Sequence, residues 1–292
     1  MSRTAQEIAS QPAIWAEALG RLPSLSDLLP DQGESVAVVG CGTSLFVAGA
    51  YARAREDRGL GLTIAAPASE FAVRRPYDRV LAISRSGTTT EVVRLLETLP
   101  ADLPSIAISA VADSPVARAA SEAVILDFAD EASVVQTRFA TSALLLLRAN
   151  LGEDVTRALE DADGAVEGPL PADPGDYDQF VFLGTGWTIG IAEEAALKMR
   201  EIALAWSEAY PAMEYRHGPI SVASPRTLVW HVGAADQDLD GDIRATGALL
   251  RTGALDPLAE LILVQRTALE LARARGLDPD HPRHLTRSVV LS

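Results

Sequence analysis

The chain has 292 residues, 48% hydrophobic and 22% charged, the balance of a globular protein with room for one large domain or two modest ones. A formal net charge of −15 excludes nucleic acid and anionic membrane surfaces as general partners, because both would be repelled at long range, and an anionic small ligand would need a local device to bind. The single cysteine, Cys41, excludes a disulfide framework, and no run approaches the ~20 apolar residues of a membrane span, so a cytoplasmic location is expected.

Residues 5–20 have the spacing of an amphipathic helix, and the turn "LPDQGE" leads into a first strand, "SVAVVG". The strand runs into "GCGTSLFVAGAYARARE", where Gly40 and Gly42 bracket a tight turn and Thr43 or Ser44 is placed to cap a helix. Short apolar runs then alternate with helical patterns in "LTIAAPASEF", "RVLAISRSGTTTEVVRLLETL" and "SIAISAVADSPVARAASEAVILDF", the signature of a parallel sheet covered by helices. A further helix, "QTRFATSALLLLRANL", closes this half, and the Gly-, Pro- and Asp-rich stretch 161–179 reads as a linker.

Beyond the linker the order of elements repeats. "QFVFLGTGWTIGIAEEAALKMREIALAWSEAY" lays strand, Gly-Thr-Gly turn and a long helix running to Tyr210 where the first half has "SVAVVGCGTSLFVAGAYARARE". The strand "RTLVWHVG" stands where "RVLAISRSG" stood, but the loop after it, "AADQDLDGDI", is acidic and has lost its hydroxyls. The second half is also shorter, so one strand is expected to be missing from it. Trp187, Trp206 and Tyr210 read as residues that pack helices.

In an open parallel sheet, ligands sit at the carboxyl ends of the strands. "SRSGTTTE" falls at such an end and opens a helix, where free N–H groups and the helix dipole favour an anion. Ser84, Ser86, Thr88 and Thr89 add hydroxyl donors and Gly87 permits close backbone approach, which suits a phosphate monoester. A P-loop is absent, and Gly40, Gly42 and Gly49 lack the dinucleotide spacing. On the second helix Glu201 follows Lys198, the only lysine in the chain, by three residues, so both share a face. Such a carboxylate–ammonium pair suits proton transfer next to a carbonyl, with the developing enediolate stabilised by charge. No metal or other cofactor is expected, since His281 and His284 have neither a cysteine partner nor helical i,i+4 spacing; Ser44 in "CGTS" lacks a nucleophile elbow and an evident triad, so a hydrolase is not expected.

These motifs carry a resemblance. "GCGTS", "SRSGTT", "EEAALKMREIALAWSEAYPAMEYRHGP" and "DPDHPRHLTRSV" fall in the order seen in the sugar isomerase (SIS) family, and "QEIASQP" extends the likeness to almost the whole chain. Within that family they are most similar to the isomerase part of glucosamine-6-phosphate synthase and to stand-alone amino-sugar phosphate deaminases and isomerases. The resemblance implies two tandem α/β SIS subdomains, each a parallel sheet flanked by helices in three αβα layers of flavodoxin type. A helical arm is expected at 1–24, the first subdomain at 25–160 and the second, with the tail, at 180–292.

It also implies roles. Ser44, Ser84, Ser86 and Thr89 are expected to bind phosphate, joined by Thr88 from the loop's own hydroxyls and by Arg85 where the synthase has glutamine. Glu201 matches the proton-shuttling carboxylate, and His217 in "RHGP" the ring-opening histidine, which in this family comes from the neighbouring subunit of a homodimer. "EASVVQTRF" resembles the loop lining the sugar, which brings in Val134, Gln136 and Glu131. The expected activity is aldose–ketose isomerisation of a hexose or amino-hexose 6-phosphate, with deamination or deglycation of an amino sugar as a variant and a non-catalytic sugar-phosphate sensor as the alternative. Two departures stand out. The chain opens Met1-Ser2-Arg3 where the synthase carries a glutaminase domain, so no glutamine-derived ammonia is expected. Arg287 stands where the synthase pattern has an imine-forming lysine, and a guanidinium that stays protonated cannot form an imine.

Overall fold

The computed structural model describes residues 1–73, 76–233 and 237–291. Two helices open the chain, α1 at Arg3–Ala9 and α2 at Gln11–Leu25. The single helix expected over 5–20 is split because Pro12, lacking an N–H and fixed in φ, starts α2 in its first turn. Then follow β1 (Val36–Gly40), α3 (Thr43–Asp57), β2 (Thr63–Pro67), β3 (Arg79–Ile83), α4 (Thr90–Thr98), β4 (Ser105–Ser109), α5 (Pro115–Ala119), β5 (Glu122–Ile125) and α6 (Arg138–Asn150). The second run is α7 (Thr156–Glu167), β6 (Gln179–Gly184), α8 (Thr188–Ala203), β7 (Trp206–Pro211), β8 (Thr227–Val232), α9 (Gln237–Ala245), β9 (Leu249–Thr252) and α10 (Pro257–Ala274).

Both sheets are parallel. The first has the order β2-β1-β3-β4-β5, the doubly wound order of flavodoxin-type folds, and the second has β7-β6-β8-β9, the same order without its last strand. The missing strand expected from sequence is therefore the counterpart of β5. β1, β4 and β8 are buried along their whole length, as strands covered by helices on both faces must be. One core gathers Val39, Val80, Ala82, Val92 and Val116, and a second gathers Val181, Leu183, Tyr215, Val229 and Leu239.

Residues 161–167, expected in the linker, instead complete α7. Ala158, Ala162 and Ala165 place a buried stripe on one helix face at spacings of four and three, which outweighs Gly164 and the flanking acids. Of the acidic loop expected at 234–243, residues 234–236 lie outside the described residues, and the remainder is not a loop but the start of α9. Trp206, expected to pack helices, is 69% exposed at the start of β7, an edge strand.

The chain forms two compact units, one of Ser10–Val155 with Leu285–Ser292, the other of Met1–Ala9 with Thr156–His284. Two expected boundaries move accordingly. The first nine residues leave the N-terminal arm for the second unit, where Asp280 caps α1 through the Thr4 amide at 2.9 Å and the Thr4 hydroxyl at 2.8 Å. The tail from Leu285 leaves the second half for the first unit, for reasons given below. Among the described residues, no helix is long and apolar enough to cross a membrane.

Candidate active site

In the first sheet the strand order reverses between β1 and β3, so the loops leaving their carboxyl ends diverge and open a crevice. The first loop is Gly40–Ser44. A Cβ on Gly40 would lie 2.7 Å from the Ser44 backbone carbon, so only glycine lets α3 start this close to β1. The helix cap is Gly42, at φ 55°, rather than the expected Thr43 or Ser44; both fall inside the first turn, where Ser44 is buried at the strand end. Burial pushes the neighbouring Cys41 thiol up, and Glu91 adds to the effect, so this cysteine is held as a neutral thiol.

The second loop, Ser84–Thr89, joins β3 to α4, with Thr89 as the extended N-cap. Ser84 Oγ lies 3.4 Å from Thr89 Oγ1, and the Thr88 amide and hydroxyl reach Ser86 Oγ at 3.3 and 3.2 Å. The loop is braced from β4 and α5. Ser109 Oγ and the Ala110 amide donate to the Arg85 carbonyl at 3.3 and 3.1 Å, and the Val116 amide donates to the Gly87 carbonyl at 2.9 Å. Gly87 has φ +64°, and a Cβ there would meet Ser114 Oγ at 2.1 Å. Four hydroxyls thus gather at the N-terminus of a nine-residue helix on a hydrogen-bonded backbone, a setting whose free N–H groups and helix dipole favour an anion.

Arg85, expected among the phosphate ligands, points elsewhere. Its side chain is 1% exposed, and its guanidinium is spent on the carbonyls of Ser133 and Val134, each at 3.0 Å, and on the Glu131 carboxylate at 3.6 Å. Glu131, named with the sugar-lining loop, caps α6, accepting from the Thr137 and Arg138 amides at 2.6 and 2.9 Å. Val134 presents its carbonyl to Arg85, and the Gln136 side-chain oxygen is buried with no hydrogen-bond partner among the described residues. Arg287 pairs with Asp130 at 2.5 Å and donates to the Glu131 carbonyl at 3.0 Å.

The remaining candidates belong to the second unit. Lys198 lies mid-way along α8, fully buried, with its ammonium in ion pairs to Glu201 and, at 3.3 Å, to Glu194. Burial works to lower its pKa, but Glu194 and then Glu201 outweigh that effect, so its pKa ends above the ordinary lysine value and the ammonium is firmly charged. Glu201 keeps 19% of its side chain exposed, whereas Glu194 keeps 3%. Glu194 is a residue that the sequence reading did not single out. Its signal was present, since carboxylates four residues before and three after the lone lysine must share its face. His217 sits exposed in a 3-10 turn, Ala212–His217, that follows β7.

The repeat extends to atomic detail. Gly184 answers Gly40, since a Cβ on it would lie 2.4 Å from the Thr188 carbonyl oxygen. Thr188 answers Ser44, but its hydroxyl is committed to the carbonyls of Thr185 and Val232, both at 3.0 Å. Among the described residues, no group of His, Cys, Asp and Glu is placed to hold a metal ion.

Against known proteins, the chain is 29% identical over 327 residues to the glutamine–fructose-6-phosphate aminotransferase (isomerizing) of Methanothermobacter thermautotrophicus, a match that takes in 95% of this chain and 54% of the relative. The chain thus spans about half the length of that curated relative. Among solved structures it resembles glucosamine-6-phosphate deaminase from Thermotoga maritima, with 27% identity, a TM-score of 0.85 and coverage of 99% of this chain and 100% of that one. Tagatose-6-phosphate ketose/aldose isomerase from Escherichia coli, at 19% identity and a TM-score of 0.80 over 100% and 96% of the two chains, shares the fold. The family model for the SIS domain matches residues 29–150, the span that holds β1 to β5 and both loops of the crevice.

Proposed function

We propose that the protein is a phosphosugar isomerase or amino-sugar phosphate deaminase that takes a hexose or amino-hexose 6-phosphate and moves a proton through an enediol. The observation that carries this reading is the buried Lys198 ammonium fixed beside the partly open Glu201 carboxylate. In the proposed reaction Glu201 takes the proton from the carbon next to the carbonyl and returns it to the neighbouring carbon, while Lys198 stabilises the negative charge that develops on oxygen. Ser44, Ser84, Ser86, Thr88 and Thr89 hold the phosphate. His217 serves ring opening from the neighbouring subunit of a homodimer, a role its exposed position after an edge strand supports. The same proton transfer prepares an amino sugar for loss of nitrogen, so isomerase and deaminase are two outcomes of one site. An imine route through Arg287 is set aside, because its guanidinium is engaged with Asp130 and Glu131 and stays protonated.

The test is solvent exchange. In deuterium oxide, proton NMR of glucose 6-phosphate, fructose 6-phosphate and glucosamine 6-phosphate should record loss of the carbon-bound proton next to the carbonyl for at least one of them. Glu201→Gln should abolish it. Tight binding without exchange for every sugar would turn the reading to a sensor.

A further inference from the structure

Arg85 ties three stretches of the first unit together. Besides the Ser133 and Val134 carbonyls, its guanidinium donates to the carbonyl of Arg287 in the C-terminal tail at 3.0 Å. From that point the tail lies along the Ser/Thr loop. Ser288 Oγ sits 3.0 Å from Ser86 Oγ and 2.9 Å from Thr88 Oγ1. The Thr90 amide donates to the Val289 carbonyl at 3.1 Å, and the Leu291 amide donates to Thr90 Oγ1 at 2.9 Å. Two of the candidate phosphate donors therefore share a hydroxyl cluster with the tail, and the fixed point of the tail is a buried cation.

The chemistry of that cation explains the arrangement. A planar guanidinium with five donors can serve three carbonyls and one carboxylate at once, which an ammonium or an amide cannot. Its burial is supported by the Glu131 carboxylate, itself fixed by capping α6. We infer that Arg85 is a positioning residue that clamps the C-terminal segment onto the Ser/Thr loop, so that Ser288 completes the phosphate site and tail docking and sugar-phosphate binding become one coupled event. This inference rests on the phosphate reading of the loop. Arg85 acts through the tail and touches no ligand.

The experiment combines Arg85→Gln, Arg85→Lys and a chain ending at His284, with two readouts: hydrogen exchange of the Leu291 amide, and calorimetric affinity for glucose 6-phosphate. In Arg85→Gln the Leu291 amide should exchange at least about tenfold faster and affinity should fall about tenfold, the size expected for losing a charge-assisted hydrogen bond. Arg85→Lys should not rescue either. In the chain ending at His284, adding Arg85→Gln should cost no further affinity, because the two changes remove the same link. Unaltered exchange at Leu291, or an equal affinity loss in the shortened chain, would overturn the clamp. Ser288→Ala leaves the buried pair intact and decides the matter if Arg85→Gln does not fold. Faster Leu291 exchange with weaker binding is expected, and no change in either overturns the inference. Should the wild-type chain bind no sugar phosphate, the phosphate reading fails by itself, while the exchange readout still judges the clamp.

Discussion

A lysine buried completely in a protein interior is ordinarily driven toward its neutral form, and Lys198 is kept charged only because two carboxylates face it. Removing it as Lys198→Met would leave Glu194 and Glu201 without their cation, a loss on the order of 3–5 kcal/mol at neutral pH. The sign against pH follows from the raised pKa. The stabilisation from Lys198 is complete below the ordinary lysine pKa and disappears only as pH climbs through the higher folded value. The stability gap between wild type and Lys198→Met should therefore stay constant between pH 6 and 9. Urea unfolding at pH 6 and pH 9 measures the gap at both ends. A gap that shrinks toward pH 9 would mean that the buried ammonium loses its proton early and is not held by the two carboxylates. Substitution by arginine tests catalysis separately: a planar fork cannot reproduce a compact ammonium between Glu194 and Glu201, so Lys198→Arg should lower turnover about 10²-fold with sugar-phosphate affinity nearly unaltered.

The strand–loop–helix element, used twice, sets what the sequence could reveal. β1, β3, β4, β6 and β8 were legible because buried parallel strands are nearly continuous apolar runs. β7, "WSEAYP", was not, since an edge strand open to solvent mixes polar and apolar residues. α7 hid behind Gly and Asp because its buried stripe is made of alanines rather than large side chains. The candidate site was marked in the sequence by its hydroxyls and its lone lysine, whose residue types advertise the chemistry they would do. The role of Arg85 was not legible, because three of its partners are backbone carbonyls, among them one more than 200 residues away, which no side-chain pattern encodes. Glycine geometry gives this element a sharp test. Gly87→Ala places a Cβ 2.1 Å from Ser114 Oγ at φ +64°. It should cost about 1–3 kcal/mol of stability and also weaken phosphate binding by shifting Ser86 and Thr88. Thermal unfolding and phosphate titration of the variant measure the two effects, and an unperturbed phosphate affinity would separate the loop's backbone shape from its binding.

Across the whole molecule, a net charge of −15 would work against the sugar phosphate of the proposed function, so the local donors at α4 would have to overcome a repulsive field. The second unit carries a different signature. Trp206, Met213 and Val222 are exposed apolar side chains at 69%, 48% and 61%, on the edge strand and the turns that follow it, and His217 lies in the same segment. Exposed aromatic and aliphatic side chains on an edge strand invite a partner, and a second copy of this chain would bring its own His217 with it. A shared site makes a quantitative demand on mixtures. On that reading, chains carrying Glu201→Gln and chains carrying His217→Ala should each be inactive as pure dimers. When they are unfolded together in equal amounts and refolded, about half of the dimers should be mixed, and each mixed dimer has one site with both intact residues, so about one quarter of wild-type activity should return. Activity of the mixture no higher than the mean of the two parents would mean that each chain uses its own histidine. Replacing Trp206 and Val222 with serine in both parents should then abolish the recovery, because a dimer that no longer forms cannot exchange histidines.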